Sequence, residues 1–315
     1  MNDLLRENGC DEGYEGNAQS FRIVTKLALH RDKYPGLDLT RCALNAVLKY
    51  PWMNGSGQER KWGAYSHERE DFSWARELYS DPGDRRKSVE AEIMDWADDI
   101  TYAVHDLEDF YRAGLIPLEL FASGENSEKE QFLNGVKLRA EKGGPGSVNK
   151  NKVSDYIDAF KALGLVFPVV TEPYRGSRLQ RATLRTQNSG LISRYISALK
   201  LQIPADNEES YVSINEDFRL EIAMLKQLTW HYVILTPSLA TQQYGLQKII
   251  SDLFNIYKDD KEFRLVPSWI LCNLEDDVSH ERKVADIISS MTDAQAIQMH
   301  QRLTGAHPGS IRDWI

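Results

Sequence analysis

The sequence predicts an all-α protein, and three observations lead there. Apolar residues recur at three- and four-residue steps in nearly every segment. Gly and Pro fall where those segments should stop, as at Pro51, Gly114 and Pro117. The one short apolar run that reads like a strand, LVFPVV at 165–170, carries Pro168 in its middle, which weakens a strand there.

The elements follow in order. From Asn17 onward, Phe21, Val24, Leu27 and Ala28 share one helical face. A second helix starts at Thr40, carries Leu44, Val47 and Leu48, and stops at Pro51. The segment between Pro51 and Phe72 is rich in Gly, Trp and charge and reads as a structured loop. The strongest signal is SVEAEIMDWADDITYAVHDLEDFYRAGLIP at 88–117. Ser88 is placed to cap this helix, Glu90 and Glu92 sit at the positive end of its dipole, and Gly114 with Pro117 ends it.

Beyond it, KEQFLNGVKLRAE reads as helix and leads into GGPGSVN, a flexible turn or lid. Helices then cover KVSDYIDAFKALGL, SGLISRYISALKL, NEDFRLEIAMLKQLTWHYVIL, ATQQYGLQKIISDLFNIYK and ERKVADIISSMTDAQAIQMHQRLTG. No internal repeat is visible. The length of 315 residues suits one large domain or two smaller ones, with a boundary within 122–150.

Composition narrows the class. Hydrophobic residues at 42% and charged residues at 27% are a globular balance. A net charge of -9 argues against general nucleic-acid coating, because phosphate backbones repel an acidic surface, though a local basic pocket remains compatible with it. Cys10, Cys42 and Cys272 have no paired spacing, so neither a disulfide framework nor a zinc site is encoded. The acidic start is no signal peptide, and no apolar run approaches the about 20 residues needed to span a bilayer. The expectation is a soluble, cytoplasmic protein with no membrane partner.

The long helix divides into two faces. Val89, Ile93, Trp96, Ala97, Ile100, Val104, Leu107 and Tyr111 gather on one arc, and Asp95, Asp98, Tyr102, Asp106 and Asp109 on the opposite one. Asp98, Tyr102 and Asp106 stack a turn apart along one stripe. A solvated face explains such a stripe. So does a ligand site, because clustered carboxylates repel one another and call for a counter-charge, and a tyrosine among them offers a ring and a hydroxyl. Mg²⁺ or Mn²⁺ would suit the oxygen donors. His105-Asp106, with His67 upstream, serves one metal only if the helix end or a bend allows it, since adjacent helical residues point about 100° apart; a capping or packing histidine is the alternative. Upstream lie the basic and polar candidates Asn17, Gln19, Arg22, Lys49, Tyr50, Arg60, Lys61 and Tyr65. Lysines beside aromatics can clamp phosphate while the ring stacks on a base or sugar.

YEGNAQSFRIV, LTRCALNAVLKYPW, KWGAYSHE and above all EAEIMDWADDITYAVHDLEDFYRAGLIPLE, in this order, resemble the deoxyguanosine-triphosphate triphosphohydrolase family of the HD-domain superfamily. Weaker echoes follow in LISRYI, TWHYVI and ERKVADIISSMTDAQA. The resemblance implies an all-α, metal-dependent hydrolase that splits a deoxynucleoside triphosphate into deoxynucleoside and tripolyphosphate, often as a homo-oligomer. It implies that Asp98 is the last aspartate of a divalent-metal site for Mg²⁺ or Mn²⁺. Tyr102 and Asp106 then hold the sugar, and Lys49, Tyr50, Lys61 and Asn17 surround the triphosphate and sugar. Arg282 is a looser candidate for a phosphate or partner contact.

One departure accompanies the match. The family's first metal histidine, its HD pair and its G-H-x-G-E segment precede the part that resembles residues 1–20, and none of them occurs in this sequence. The expectation is therefore an N-terminally incomplete HD-type helical bundle at 1–125 and a C-terminal helical region at 126–315, inactive alone. The alternative is a non-catalytic nucleotide-binding or regulatory helical subunit. A domain short of those helices should also leave parts of the Phe21–Ala28 and Leu44–Leu48 stripes uncovered and associate through them.

Overall fold

The computed structural model describes residues 1–309 except 56–59, 80, 82, 123–125, 165–169, 204–209, 272–273, 275–276 and 308. The strand-like run at 165–170 therefore lies outside the described residues but for Val170, and so does Cys272. The described chain is all-α apart from one two-stranded antiparallel ladder.

In chain order, α1 is Asn2–Glu7 and α2 is Gly16–Arg22, which passes into a π-helical turn at Ile23–Leu27. Then come α3 (Arg41–Ala46), a 3₁₀ turn (Ser66–Glu68), α4 (Arg69–Arg76) and the long α5 (Val89–Arg112). They are followed by α6 (Leu118–Ala122), α7 (Asn126–Lys142), a 3₁₀ turn (Lys150–Lys152), α8 (Val153–Leu163) and α9 (Arg178–Ser197). β1 (Leu199–Leu201) pairs with β2 (Val212–Ile214), and α10 (Glu216–Thr229) runs into a second π-helical turn at Trp230–Ile234. The last elements are α11 (Pro237–Asp259), α12 (Ser268–Leu271), α13 (His280–Ser289) and α14 (Asp293–Leu303). No helix among the described residues is long and apolar enough to cross a membrane.

The chain forms two compact units, Met1–Ala91 with Gln242–Ile315 and Glu92–Thr241. In the first, Leu5 of α1, Leu253, Phe254 and Tyr257 of α11, Val284, Ile287 and Ile288 of α13 and Met299 of α14 bury one core. A second, smaller core joins Phe21, Leu44, Leu48, Ala64, Phe72 and Ala75. The stripes expected to lie open are thus largely covered within the unit: Phe21 and Leu48 are each 1% exposed. Their cover is α4 and the loop before it, segments whose charge hides them as core elements in the sequence.

In the second unit Trp96, Ile100, Val104, Leu107 and Tyr111 pack on Phe132 and Val136 of α7, Phe160 of α8, Leu184, Leu191 and Tyr195 of α9 and Leu225 and Leu228 of α10. The apolar arc of α5 is as the periodicity predicts through its last four turns. At its start Ile93 and Ala97 are exposed, and Ala103 is buried in their place. The cap is also as read: Ser88 Oγ accepts the Ala91 N–H at 3.1 Å, and Gly114 takes a left-handed φ of 72° after the helix.

Three segments differ from the periodicity. Leu199–Leu201, read as the tail of a helix, is β1, because the backbone of α9 ends at Ser197 and its next residues pair with 212–214. The final long helix is two, since Thr292 and Gln295 form a reciprocal capping box that starts α14 afresh. The GGPG segment is a turn packed against α10 and the turn that follows it. Gly146, at a φ of 73°, lies so close to the Trp230 indole that a Cβ would sit 2.0 Å from Cε2. Its carbonyl also accepts from Gln227 Nε2 at 2.6 Å. Gly146→Ala is expected to lower the thermal midpoint by several degrees, through the overpacked indole and the left-handed backbone together, as a scanning-calorimetry melt would show.

Candidate functional site

Asn17 and Lys61 meet on one carboxylate. Glu15 caps α2: its Oε2 accepts the Asn17 N–H at 2.5 Å and the Ala18 N–H at 3.0 Å. Its Oε1 accepts Asn17 Nδ2 at 2.9 Å and lies 3.4 Å from Lys61 Nζ. The Glu15 side chain is 3% exposed and that of Lys61 56%, so a buried anion anchors an ammonium that still faces solvent. An anion at a helix N-terminus is favoured by the dipole and by the free N–H groups, which explains why an acid is tolerated there. Glu15 is held in turn by Tyr65, whose hydroxyl accepts the Glu15 N–H at 3.1 Å and donates to the Glu15 carbonyl at 3.2 Å. Burial pushes the Tyr65 hydroxyl far above its usual range, so it stays protonated.

Beneath lies a charged network. Arg22 donates to Glu68 at 2.5 Å and, through Nε and Nη2, to Asp286 at 2.8–3.0 Å; Gln19 Nε2 donates to the same aspartate at 2.8 Å. Burial works against the Arg22 charge, but the Asp286 and Glu68 carboxylates outweigh it and raise its pKa. Arg282 stacks its guanidinium 3.9 Å from the Tyr65 ring centre and donates to the Gly13 carbonyl at 2.7 Å. Arg22, Gln19, Tyr65 and Arg282, read in the sequence as possible ligand contacts, are thus buried scaffold. Sequence reasoning missed Glu15 as their junction, although an acid two residues before Asn17 at a helix start is a readable capping signal.

Lys49 and Tyr50 follow α3 and are half-buried. The Tyr50 ring meets Trp52 edge to face at 5.5 Å, and the Tyr50 carbonyl accepts the Trp52 N–H at 2.8 Å. Trp52 Nε1 donates to the Lys61 carbonyl at 2.8 Å, which ties the strand of chain carrying Tyr50 to that carrying Lys61.

In the second unit α5 carries Asp98, Tyr102 and Asp106. Tyr102 is 55% exposed, while Asp98 and Asp106 are half-buried. Part of the counter-charge that the acidic face calls for is a protein side chain: Lys226 of α10 pairs with Asp99 at 2.5 Å. Among the described residues no three His, Cys, Asp or Glu side chains cluster as a metal-binding set. The residues present around Asp98 therefore do not fit a complete divalent-metal site, which needs several fixed oxygen or nitrogen donors. His105 and His67 supply no such set; both are exposed.

Burial, with Asp109 one turn on, raises the Asp106 carboxyl above the usual aspartate range. A carboxyl raised by folding favours the folded state below its unfolded pKa and loses that advantage as pH rises through its folded pKa. Asp106→Asn is therefore expected to raise the thermal midpoint near neutral pH. The gain should shrink as pH falls toward the ordinary aspartate value of about 4, because a carboxyl whose pKa is raised takes up its proton earlier in that descent, in melts run from pH 7 down to 4.

Comparison with known proteins adds identity to this geometry. A family described as a phosphohydrolase-associated domain matches residues 212–302. A deoxyguanosinetriphosphate triphosphohydrolase-like protein of Streptomyces coelicolor is 31% identical over 94% of this chain and 70% of its own length. Proteins of the same name from Corynebacterium glutamicum and Vibrio vulnificus are 30% and 28% identical, over 90% and 98% of the chain and 68% and 72% of their own lengths. The chain belongs to the family of deoxyguanosinetriphosphate triphosphohydrolase-like proteins.

Proposed function

We propose that this chain binds deoxynucleoside triphosphates and supplies the nucleotide-holding residues of a triphosphohydrolase. The observation that carries the reading is the convergence of Asn17 and Lys61 on Glu15, which fixes two of the substrate residues implied by the resemblance in one place. In this reading Lys61 and Lys49 offset triphosphate charge and Tyr50 and Asn17 flank the phosphates and sugar; on α5, the resemblance gives Tyr102 and Asp106 contacts to a sugar. Charge-assisted hydrogen bonds to phosphate oxygens are roughly twice as strong as neutral ones, so the two ammonium groups account for most of the preference for a triphosphate. Tyr102, solvent-facing between two carboxylates, offers its ring to the deoxyribose and its hydroxyl as a donor.

Asp98 is the residue we assign to a divalent metal, Mg²⁺ or Mn²⁺, and homo-oligomerisation belongs to the same proposal. With no further ligands gathered among the described residues, hydrolysis is not a property we assign to these 315 residues alone. The test is an assay of the chain with dGTP and Mn²⁺ that reads released tripolyphosphate. No release is expected. Release that Asp98→Asn abolishes would overturn this, by showing that the chain completes its own metal site.

A further inference from the structure

A cleft in the second unit gathers arginines around an aromatic ring. It has a volume of about 360 Å³ and lies between the last turns of α5 and residues 181–192 of α9. Its walls carry Arg112, Arg181 and Arg185, with His105 at one side, Tyr174 at one end and Leu184 among the apolar residues of the lining. In a chain of net charge -9, α9 holds Arg178, Arg181, Arg185 and Arg194 and no acidic residue. Arg194 is neutralised by Glu221 at 2.6 Å. The one carboxylate in the cleft wall, Glu108, is engaged by the Asn188 amide and lies 3.7 Å from Arg112. Arg181 and Arg185 form no ion pair with a described residue, although they stand one turn apart on the same face, a spacing at which like charges repel.

Tyr174 is fixed rather than loose. Its ring meets Tyr111 edge to face at 5.7 Å, and the Tyr111 hydroxyl donates to the nearby Glu172 carbonyl at 2.7 Å. The Arg112 guanidinium stands 6.0 Å from the Tyr174 ring centre. Two uncompensated guanidiniums suit phosphate oxygens, which they bind in paired hydrogen bonds. A pinned aromatic ring beside them suits a flat heterocycle. The volume lies at the small end of the range for small-molecule sites and excludes a folded polynucleotide.

We propose that this cleft binds a mononucleotide, with its phosphate on Arg181 and Arg185 and its base against Tyr174. The site is separate in sequence from Lys49 and Lys61 and does not rest on their assignment.

The test is isothermal titration of the full chain with the four 2′-deoxynucleoside 5′-monophosphates and with inorganic tripolyphosphate. Running it in a Lys61→Ala background keeps the result independent of the triphosphate-binding proposal. Saturable nucleotide binding is expected, weakened at least tenfold by Arg181→Ala with Arg185→Ala. Tyr174→Leu should weaken nucleotide binding while leaving tripolyphosphate unaffected. Both arginines are exposed on a helix face, so a circular-dichroism melt unchanged by their removal is expected to accompany the loss. Nucleotide binding indifferent to the arginines, or no binding at all, would overturn the proposal. Tripolyphosphate bound as tightly as nucleotide, with no effect at Tyr174, would overturn the assignment to a nucleotide in favour of free phosphate anions.

Discussion

Replacing Arg22 with Met is expected to cost about 3–5 kcal/mol of stability, the usual penalty for leaving buried charges without their partner. The side chain is 1% exposed, and the two carboxylates it joins, Glu68 and Asp286, are 0% exposed. Removing the guanidinium leaves two anions and the Gln19 amide in a site with little water to replace it. Denaturant titration should show the loss as a lower midpoint. The triple change to Arg22→Met, Glu68→Gln and Asp286→Asn should recover a large share of it, because the same atoms then carry no net charge. A single Arg22→Met protein as stable as the wild type would mean that the network is not closed as described.

Glu15→Gln is expected to act on binding more than on stability. An amide keeps one acceptor oxygen but turns an NH₂ group toward donors from Asn17, Ala18 or Lys61, and it cannot attract the ammonium. The cap loses about 0.5–2 kcal/mol at most. If Asn17 and Lys61 hold the nucleotide, releasing both should weaken dGTP by roughly tenfold or more, since positioning two contacts is lost together. A fluorescence titration with dGTP alongside a thermal melt separates the two effects. A melt lowered with dGTP affinity unchanged would leave Glu15 as a cap and nothing more.

Much of the fold was legible because helix signals are local. Ser88, Gly114 and the spacing from Trp96 to Tyr111 specify α5 without reference to any other segment. The short strands were not legible: Leu199–Leu201 and Val212–Ile214 stabilise each other only across the ladder, and each alone is too short to show a period. The site was legible by residue type and less so by role. Lys61 stands out as a lysine beside an aromatic, Trp62, whereas Arg22 also reads as an available cation in the sequence and is a buried strut. What separates them is burial, nearly complete for Arg22, and that depends on Asp286, which is far away along the chain. Gly146 likewise reads as flexibility until Trp230 is seen against it.

The most direct test of the account is an equilibrium titration of the chain with dGTP and with dGMP in the absence of added metal. If Lys49 and Lys61 recognise the triphosphate, dGTP should bind at least tenfold more tightly than dGMP, and Lys61→Ala should remove most of that difference while leaving dGMP affinity nearly unchanged. Equal affinities for the two nucleotides, or a preference for dGTP that Lys61→Ala leaves intact, would contradict it.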